Sequence, residues 1–172
     1  SGYYQPPGYP VLLSWLFQLF GGPSLIAIRW VQAGVGMLCC VFLLILGRDV
    51  GQKHGVSWLG AAAVLLYSLY PTTLLFELDL LTPVWTNALL LGAVVLARSK
   101  GLSWWAAAGV GLLMGAAVEM HPTLLIVAGV LFVCLTRLSW VAILGFFAVV
   151  LPTLSTNVAE FNSWTLVSHN SG

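Results

Sequence analysis

Glu77 and Asp79 stand two residues apart between two proline-marked breaks, Tyr70-Pro71 before them and Thr82-Pro83 after. Glu119 and His121 flank Met120 just ahead of Pro122. Carboxylates and an imidazole beside interruptions in apolar sequence are residue types that move protons or hold a divalent cation through oxygen ligands. Ionisable groups at membrane depth cost free energy unless they are paired, hydrated or functional. Glu77, Asp79 and His121, each beside a helix-breaking proline, are therefore the leading site candidates. Glu119 and Glu160 read as groups resting in an aqueous headgroup zone, and His54 as a solvated loop residue. Arg29 is placed where an anionic lipid phosphate could reach it, although snorkelling of its long stem explains it equally well.

The elements that must position these groups are apolar. Hydrophobic residues make up 60% of the chain and charged residues 6%, with a mean hydropathy of +1.00. Soluble domains carry about 25% charge. A water-soluble fold with so little charge would have nothing with which to cover its surface, whereas lipid lets apolar side chains face outward. The formal net charge of +1 excludes a bulk field that would attract nucleic acid or an acidic partner.

The first apolar run, Tyr9 to Phe20, follows Gln5-Pro6-Pro7-Gly8 and ends at Gly21-Gly22-Pro23. It is short against the roughly twenty residues that cross a bilayer core, so it predicts an interfacial or re-entrant helix. Six further runs follow: Leu25–Leu46, Val56–Tyr70, Thr82–Ala97, Leu102–Met120, Pro122–Thr136 and Leu138–Leu154. Several are slightly short for about 30 Å of hydrocarbon. Pro122 suits the first turn of a helix, where its missing N–H costs nothing. The expected architecture is an all-α polytopic bundle of about six transmembrane helices with one N-terminal interfacial helix. It forms a single transmembrane domain over residues 1–172, with an outer loop end and interfacial helix at 1–24, the spans at 25–154, and a polar, loop-like extracytoplasmic segment at 155–172.

Alternating these spans across the membrane sorts the charges. Arg48, Lys53, Arg98, Lys100 and Arg137, five of the six basic residues, fall on one side. Glu77, Asp79, Glu119 and Glu160, four of the five acids, fall on the other, with Arg29 the exception. The positive-inside rule makes the basic side cytoplasmic, so both chain ends and the acidic loops are expected outside. Trp58, Trp104, Trp105 and Trp140 then lie at cytoplasmic helix starts, with Trp30 and Trp85 near outer ends, as interfacial anchors do. Ala107, Gly111 and Gly115 form a small-residue face suited to helix packing. Cys39, Cys40 and Cys134 sit in apolar runs without ligand-like spacing and read as small hydrophobes. The start at Ser1 without Met and the polar end at Gly172 suggest an internal fragment of a longer protein.

The order of short motifs resembles that of GT-C membrane glycosyltransferases, in the branch holding protein O-mannosyltransferases and the lipid A aminoarabinose transferase. Gln5-Pro6-Pro7-Gly8-Tyr9-Pro10, then Leu19-Phe20-Gly21, then Ile28-Arg29 is similar to that family's "PPxYPLLLA…LFG…aiR". Gly47-Arg48 resembles its arginine after the next helix, and Leu69-Tyr70-Pro71 its "lyP". Gly111-Leu112-Leu113-Met114-Gly115 followed by His121-Pro122-Thr123-Leu124-Leu125 is similar to "GlllGla…tRPtlll". Leu151-Pro152 with Asn157, then Ser168-His169-Asn170-Ser171-Gly172, resembles "lPW…RN…vstNgG".

The resemblance implies a polyprenyl-phosphate-dependent glycosyltransferase. Such an enzyme moves a sugar from a lipid-linked donor to an acceptor on the extracytoplasmic face, here expected at a bacterial inner membrane. The partners implied are that donor and membrane lipids, with no nucleic acid. No cofactor is assigned, and a divalent cation held by the acids and His121 of the outer face is a candidate. The family's usual catalytic acid lies in an outer loop that would precede Ser1, so the catalytic residue is expected upstream. Glu77, Asp79, His121, Arg29 and Tyr9 are the expected substrate-binding residues, with Arg29 near the carrier phosphate. Four positions depart from the family pattern. Gln5 replaces a lysine of the aminoarabinose branch, His121 replaces an arginine, Thr82 aligns with an acid, and Thr156 with an arginine. Two other readings stay open: a transporter or flippase, against which stand the apolar span centres and the lack of an internal repeat, and a noncatalytic assembly subunit.

Overall fold

The computed structural model describes residues 7–70, 82–98, 103–135 and 139–161. Those residues form seven α-helices: α1 (Gly8–Leu19), α2 (Leu25–His54), α3 (Leu59–Leu69), α4 (Pro83–Ala97), α5 (Trp104–Met120), α6 (Leu125–Leu135) and α7 (Ser139–Phe161). A 3₁₀ turn at Pro122–Leu124 leads into α6. By length and composition α2 and the Trp140–Ala159 part of α7 are able to cross a membrane, and α3 to α6 are shorter apolar helices. Large apolar side chains stand far out of the protein on these helices, including Ile26, Trp30, Ile126 and Val133, each more than 70% exposed. In water such surfaces would associate; in lipid they are the expected outer surface. The chain is an all-α membrane helix bundle.

Local sequence explains the helix ends. Ser24 caps α2, its Oγ accepting from the Ala27 N–H at 3.3 Å, and Gly55 ends that helix in the left-handed region at φ 71°. Ser103 caps α5 in the same way through the Ala106 N–H at 3.2 Å. At the other end of α5, His121 is extended, the conformation that the following Pro122 favours, so the helix stops at Met120.

Two boundaries differ from the sequence expectation by a full helical turn or more. The basic group Arg48, Asp49, Lys53 and His54 is not a loop but the last two turns of α2. A thirty-residue helix is about 45 Å long and outruns the hydrocarbon, so its end carries charges at no desolvation cost; Asp49 and Lys53 form an exposed pair at 4.0 Å one turn apart. At the chain's far end, α7 continues past Leu154 through Phe161 instead of opening into a loop. There the Ser155 and Thr156 hydroxyls donate to the Pro152 carbonyl at 2.7 and 3.0 Å, folding polar side chains back onto the helix.

The described chain divides into two compact units, residues 16–91 and residues 1–15 with 92–172. In the first, the buried stripe of α2 runs Ile28, Gln32, Gly36 and Cys39. Farther along α2, Gly47 passes Gly60 of α3 so closely that a Cβ on Gly47 would lie 2.5 Å from the Gly60 Cα. In the second unit, α5 and α7 run parallel in close contact. Ala107, Val110, Gly111, Met114, Gly115 and Val118 of α5 are buried, facing Ala142, Phe146 and Val150. A Cβ on Gly111 would run into the Ala142 carbonyl oxygen and lie 2.8 Å from the Phe146 nitrogen. On the opposing helix a Cβ on Gly145 would lie 2.6 Å from the Ala108 oxygen. Absent side chains thus let the two backbones touch, which is how membrane helices gain packing energy without a hydrophobic drive.

Candidate functional site

The glycine face of α5 has a third member one turn beyond Gly115. Gly111, Gly115 and Glu119 are spaced four apart and share that face. Gly145, Val149 and Thr153 repeat the spacing on α7. A Cβ on Gly115 would lie 2.9 Å from the Val149 Cβ, and one turn later the Thr153 side chain hydrogen-bonds the Glu119 carboxyl. The packed seam therefore ends in a polar pair. Glu119 is only 6% exposed. Its Oε1 is buried and has no hydrogen-bond partner among the described residues. The sequence placed this acid in headgroup water; the structure puts it inside protein, because α1 lies against the end of α5.

Gly8 makes that arrangement. A side chain there would meet the Glu119 carbonyl carbon at 2.8 Å and the carbonyl oxygen at 2.9 Å. The first two turns of α1, from Pro7 to Trp15, form one wall of a cavity of about 340 Å³, and Ala116, Glu119 and Met120 of α5 with Val149 and Thr153 of α7 form the rest. Val11, Leu12 and Trp15 make the α1 wall apolar. The volume lies at the small end of ligand pockets, roughly 300–1,000 Å³.

Tyr9 belongs to the same unit. Its hydroxyl is buried without a partner among the described residues, and burial pushes the phenol above its ordinary value, so it stays neutral. His121 is exposed at the α5 end, with Nδ1 2.7 Å from the Thr123 Oγ1. That contact orients the ring and leaves Nε2 for another partner. Glu119 and His121, two residues apart, thus meet different surroundings, one buried and one exposed. Arg29 belongs to the other unit and is exposed on α2, beside the buried stripe rather than in it. Glu77 and Asp79 lie outside the described residues, and Glu160 is described only as part of α7. Among the described residues no three His, Cys, Asp or Glu side chains gather closely enough to hold a metal ion.

Sequence reasoning did not single out Gly8, Trp15 or Thr153. The fourfold spacing Gly111-Gly115-Glu119 was the available signal, since an acid in register with two packing glycines is directed into the helix contact. Thr156, aligned with a family arginine, uses its hydroxyl on the Pro152 carbonyl, and the neighbouring Asn157 is fully buried.

No curated protein and no solved structure matches the chain. The family described as dolichyl-phosphate-mannose-protein mannosyltransferase matches residues 4–158, from the proline-rich start of α1 to the buried Asn157 and its neighbour on α7. With the all-helical membrane architecture that such a match requires, the chain belongs to this family of membrane glycosyltransferases that use a dolichyl-phosphate sugar.

Proposed function

We propose that the protein transfers a sugar from a polyprenyl-phosphate carrier to an acceptor on the extracytoplasmic face of a bacterial inner membrane. The family match across residues 4–158 carries this reading. The distribution of charge supports its orientation, because five of six basic residues lie on one side of the threading. An acceptor oxygen attacks the anomeric carbon and forms the new glycosidic bond. The bond from that carbon to the phosphate oxygen breaks, the electron pair leaves with the lipid phosphate, and the acceptor proton passes to a base.

Within this chain, exposed His121 offers an imidazole N–H to a phosphate oxygen, and exposed Arg29 a guanidinium to the carrier. Glu77 and Asp79 take the sugar or acceptor hydroxyls. Tyr9, neutral and unpartnered at its hydroxyl among the described residues, contacts substrate at the start of α1. A divalent cation, if used, would be held by Glu77 and Asp79 through oxygen.

The test is transfer of radiolabelled sugar from a polyprenyl-phosphate donor in proteoliposomes. Donor supplied at the face bearing Glu77 and Asp79 should be consumed, and donor confined to the other face should not. Joint replacement of Glu77, Asp79 and His121 by alanine should abolish transfer; unchanged transfer would show that the site is elsewhere. One observation favours a second reading, a noncatalytic assembly subunit: the Thr156 hydroxyl, at a family arginine position, is occupied by the Pro152 carbonyl. Under that reading no donor is consumed at either face.

A further inference from the structure

The groove between α2 and α3 is apolar along its length and basic at one end. At that end the two helices touch through a glycine. A Cβ on Gly60 would lie 2.8 Å from the Leu44 carbonyl oxygen and 3.1 Å from the Arg48 nitrogen. Past this contact larger side chains hold the helices apart, and a groove of about 560 Å³ opens. Val41 and Leu44 line it from α2, with Ala61, Val64, Leu65 and Leu69 from α3. Its two polar side chains, Cys40 and Ser68, are hydrogen-bonded to each other, Sγ to Oγ at 3.8 Å. Val41, Leu65 and Leu69 are exposed, so the groove opens outward, toward lipid.

Arg48 continues the α2 wall. Val41, Leu44 and Arg48 follow the i, i+3, i+7 spacing of one helix face. The Arg48 stem rests on α3, where a Cβ on Gly60 would lie 3.2 Å from its Cγ, and the residue is exposed. Trp58 continues the α3 wall. It stands three residues before Ala61 in helical backbone, its carbonyl accepts from the Ala62 N–H at 3.0 Å, and it is 66% exposed. A guanidinium and an indole thus close the same end of the groove, where α2 passes out of the hydrocarbon. The other charges of this helix end lie apart from it. Asp49 is paired with Lys53, and Lys53, five residues after Arg48, is turned about 140° round the helix from it.

The occupant follows from this order of groups. A groove whose polar atoms already bond each other takes an aliphatic chain, because hydroxyls or amides laid there would lose their partners. A guanidinium at its mouth takes an anion that stays in contact with water, and phosphate oxygens match its fork. A zwitterionic headgroup would set an ammonium beside Arg48 as well, with the neighbouring Asp49 held by Lys53. We propose that the α2–α3 groove binds an anionic phospholipid, with one acyl chain along Val41, Leu44 and Leu65, its phosphate on Arg48 and Trp58 at headgroup level. A basic residue closing an apolar pocket between membrane helices is the general form of such a site. The site requires only that this end of α2 reach a membrane surface, whichever leaflet that is. It is distinct from the donor site of the transferase reading. Glu77 and Asp79 follow the opposite end of α3 in sequence, so a carrier consumed beside them would not seat its phosphate at Arg48.

Binding is read without sugar and without turnover, so its failure leaves the transferase reading standing. The protein in nonionic detergent is titrated with dioleoylphosphatidylglycerol, dioleoylphosphatidylcholine and undecaprenyl phosphate, and bound lipid is followed by native mass spectrometry. Phosphatidylglycerol should bind saturably and about fivefold or more tightly than phosphatidylcholine, the worth of one basic contact at the membrane surface. Arg48→Gln should remove that preference. Lys53→Gln, which deletes the same charge off the groove face, should keep it. Ala61→Phe fills the groove from α3 and leaves Arg48 in place; it should weaken phosphatidylglycerol binding, and it serves if Arg48→Gln does not fold. Equal binding of the two phospholipids, equal losses in Arg48→Gln and Lys53→Gln, or binding unchanged by Ala61→Phe would each overturn the proposal. Tighter binding of undecaprenyl phosphate than of phosphatidylglycerol would also overturn it, by making the groove a carrier site.

Discussion

Gly8 and Glu119 touch backbone to backbone: a Cβ on the glycine would lie 2.8 Å from the carbonyl carbon of the acid. That contact bridges more than a hundred residues of sequence. It joins the proline-rich start of α1 to the last turn of α5, and it converts an acid at a helix end into a buried one. The polar chemistry of this unit depends on it.

Replacing Gly8 with alanine should therefore cost about 1–3 kcal/mol, the usual penalty for overpacking a rigid contact. The obstructing atoms are backbone and cannot swing aside. The measurement is thermal unfolding in detergent by fluorescence-detected size exclusion, where the midpoint should fall. An unchanged midpoint would mean that α1 does not rest on α5.

The seam of α5 and α7 makes a paired prediction. Gly111→Leu drives a side chain into the Ala142 carbonyl and should cost about 3 kcal/mol or more, with loss of the monodisperse species. Gly129→Ala, on α6 where nothing lies within 4 Å of the new Cβ, should be neutral or gain up to about 1 kcal/mol from helix propensity. Equal effects of the two changes on the melting midpoint would refute the seam.

Glu119→Leu should raise thermal stability, read as a higher unfolding midpoint in detergent. Removing a buried carboxyl with an unpartnered oxygen relieves about 1–3 kcal/mol of desolvation, and leucine suits the apolar walls. If Glu119→Leu instead lowers the midpoint, the acid is a structural partner of Thr153.

His121→Ala should raise the KM for the lipid-linked donor several-fold and leave the melting midpoint unchanged, because the side chain is exposed and its hydrogen bond runs to the neighbouring Thr123 hydroxyl. His121→Arg, which supplies a bidentate phosphate ligand, should lower that KM. Donor-saturation kinetics with the two variants decide it. A common KM for all three proteins would remove His121 from the donor site.

Sidedness has its own check. With an impermeant thiol reagent on sealed vesicles, Asp79→Cys and Arg98→Cys should be labelled from opposite faces, in a background lacking the three native cysteines. Labelling of both from one face would undo the threading that assigns the acids to the outside.

Much of this architecture was legible in one dimension. Charge scarcity demanded lipid, proline and glycine punctuation divided the apolar runs, and the helix starts at Leu25 and Pro83 and ends at Ala97 and Met120 fell at or within a residue of the expected places. The interfacial helix, expected over Tyr9 to Phe20, is α1 at Gly8–Leu19. Hydropathy reports where a segment leaves the hydrocarbon, but it does not report where the helical hydrogen bonding stops. For that reason the polar stretches Arg48 to His54 and Ser155 to Phe161 continue their helices beyond the ends of the apolar runs.

The amino-acid sequence by itself determined an all-helical membrane protein with a packing face of small residues and, through the order of its motifs, its family. Only the tertiary structure decided which acid is buried. Glu119 and His121 are near neighbours on the chain and look alike as helix-end polar residues, but burial is set by what packs over them. Here that is α1, admitted by a missing side chain at Gly8; the Gly111-Gly115-Glu119 spacing turns the acid toward α7, but nothing around residue 119 records the arrival of α1.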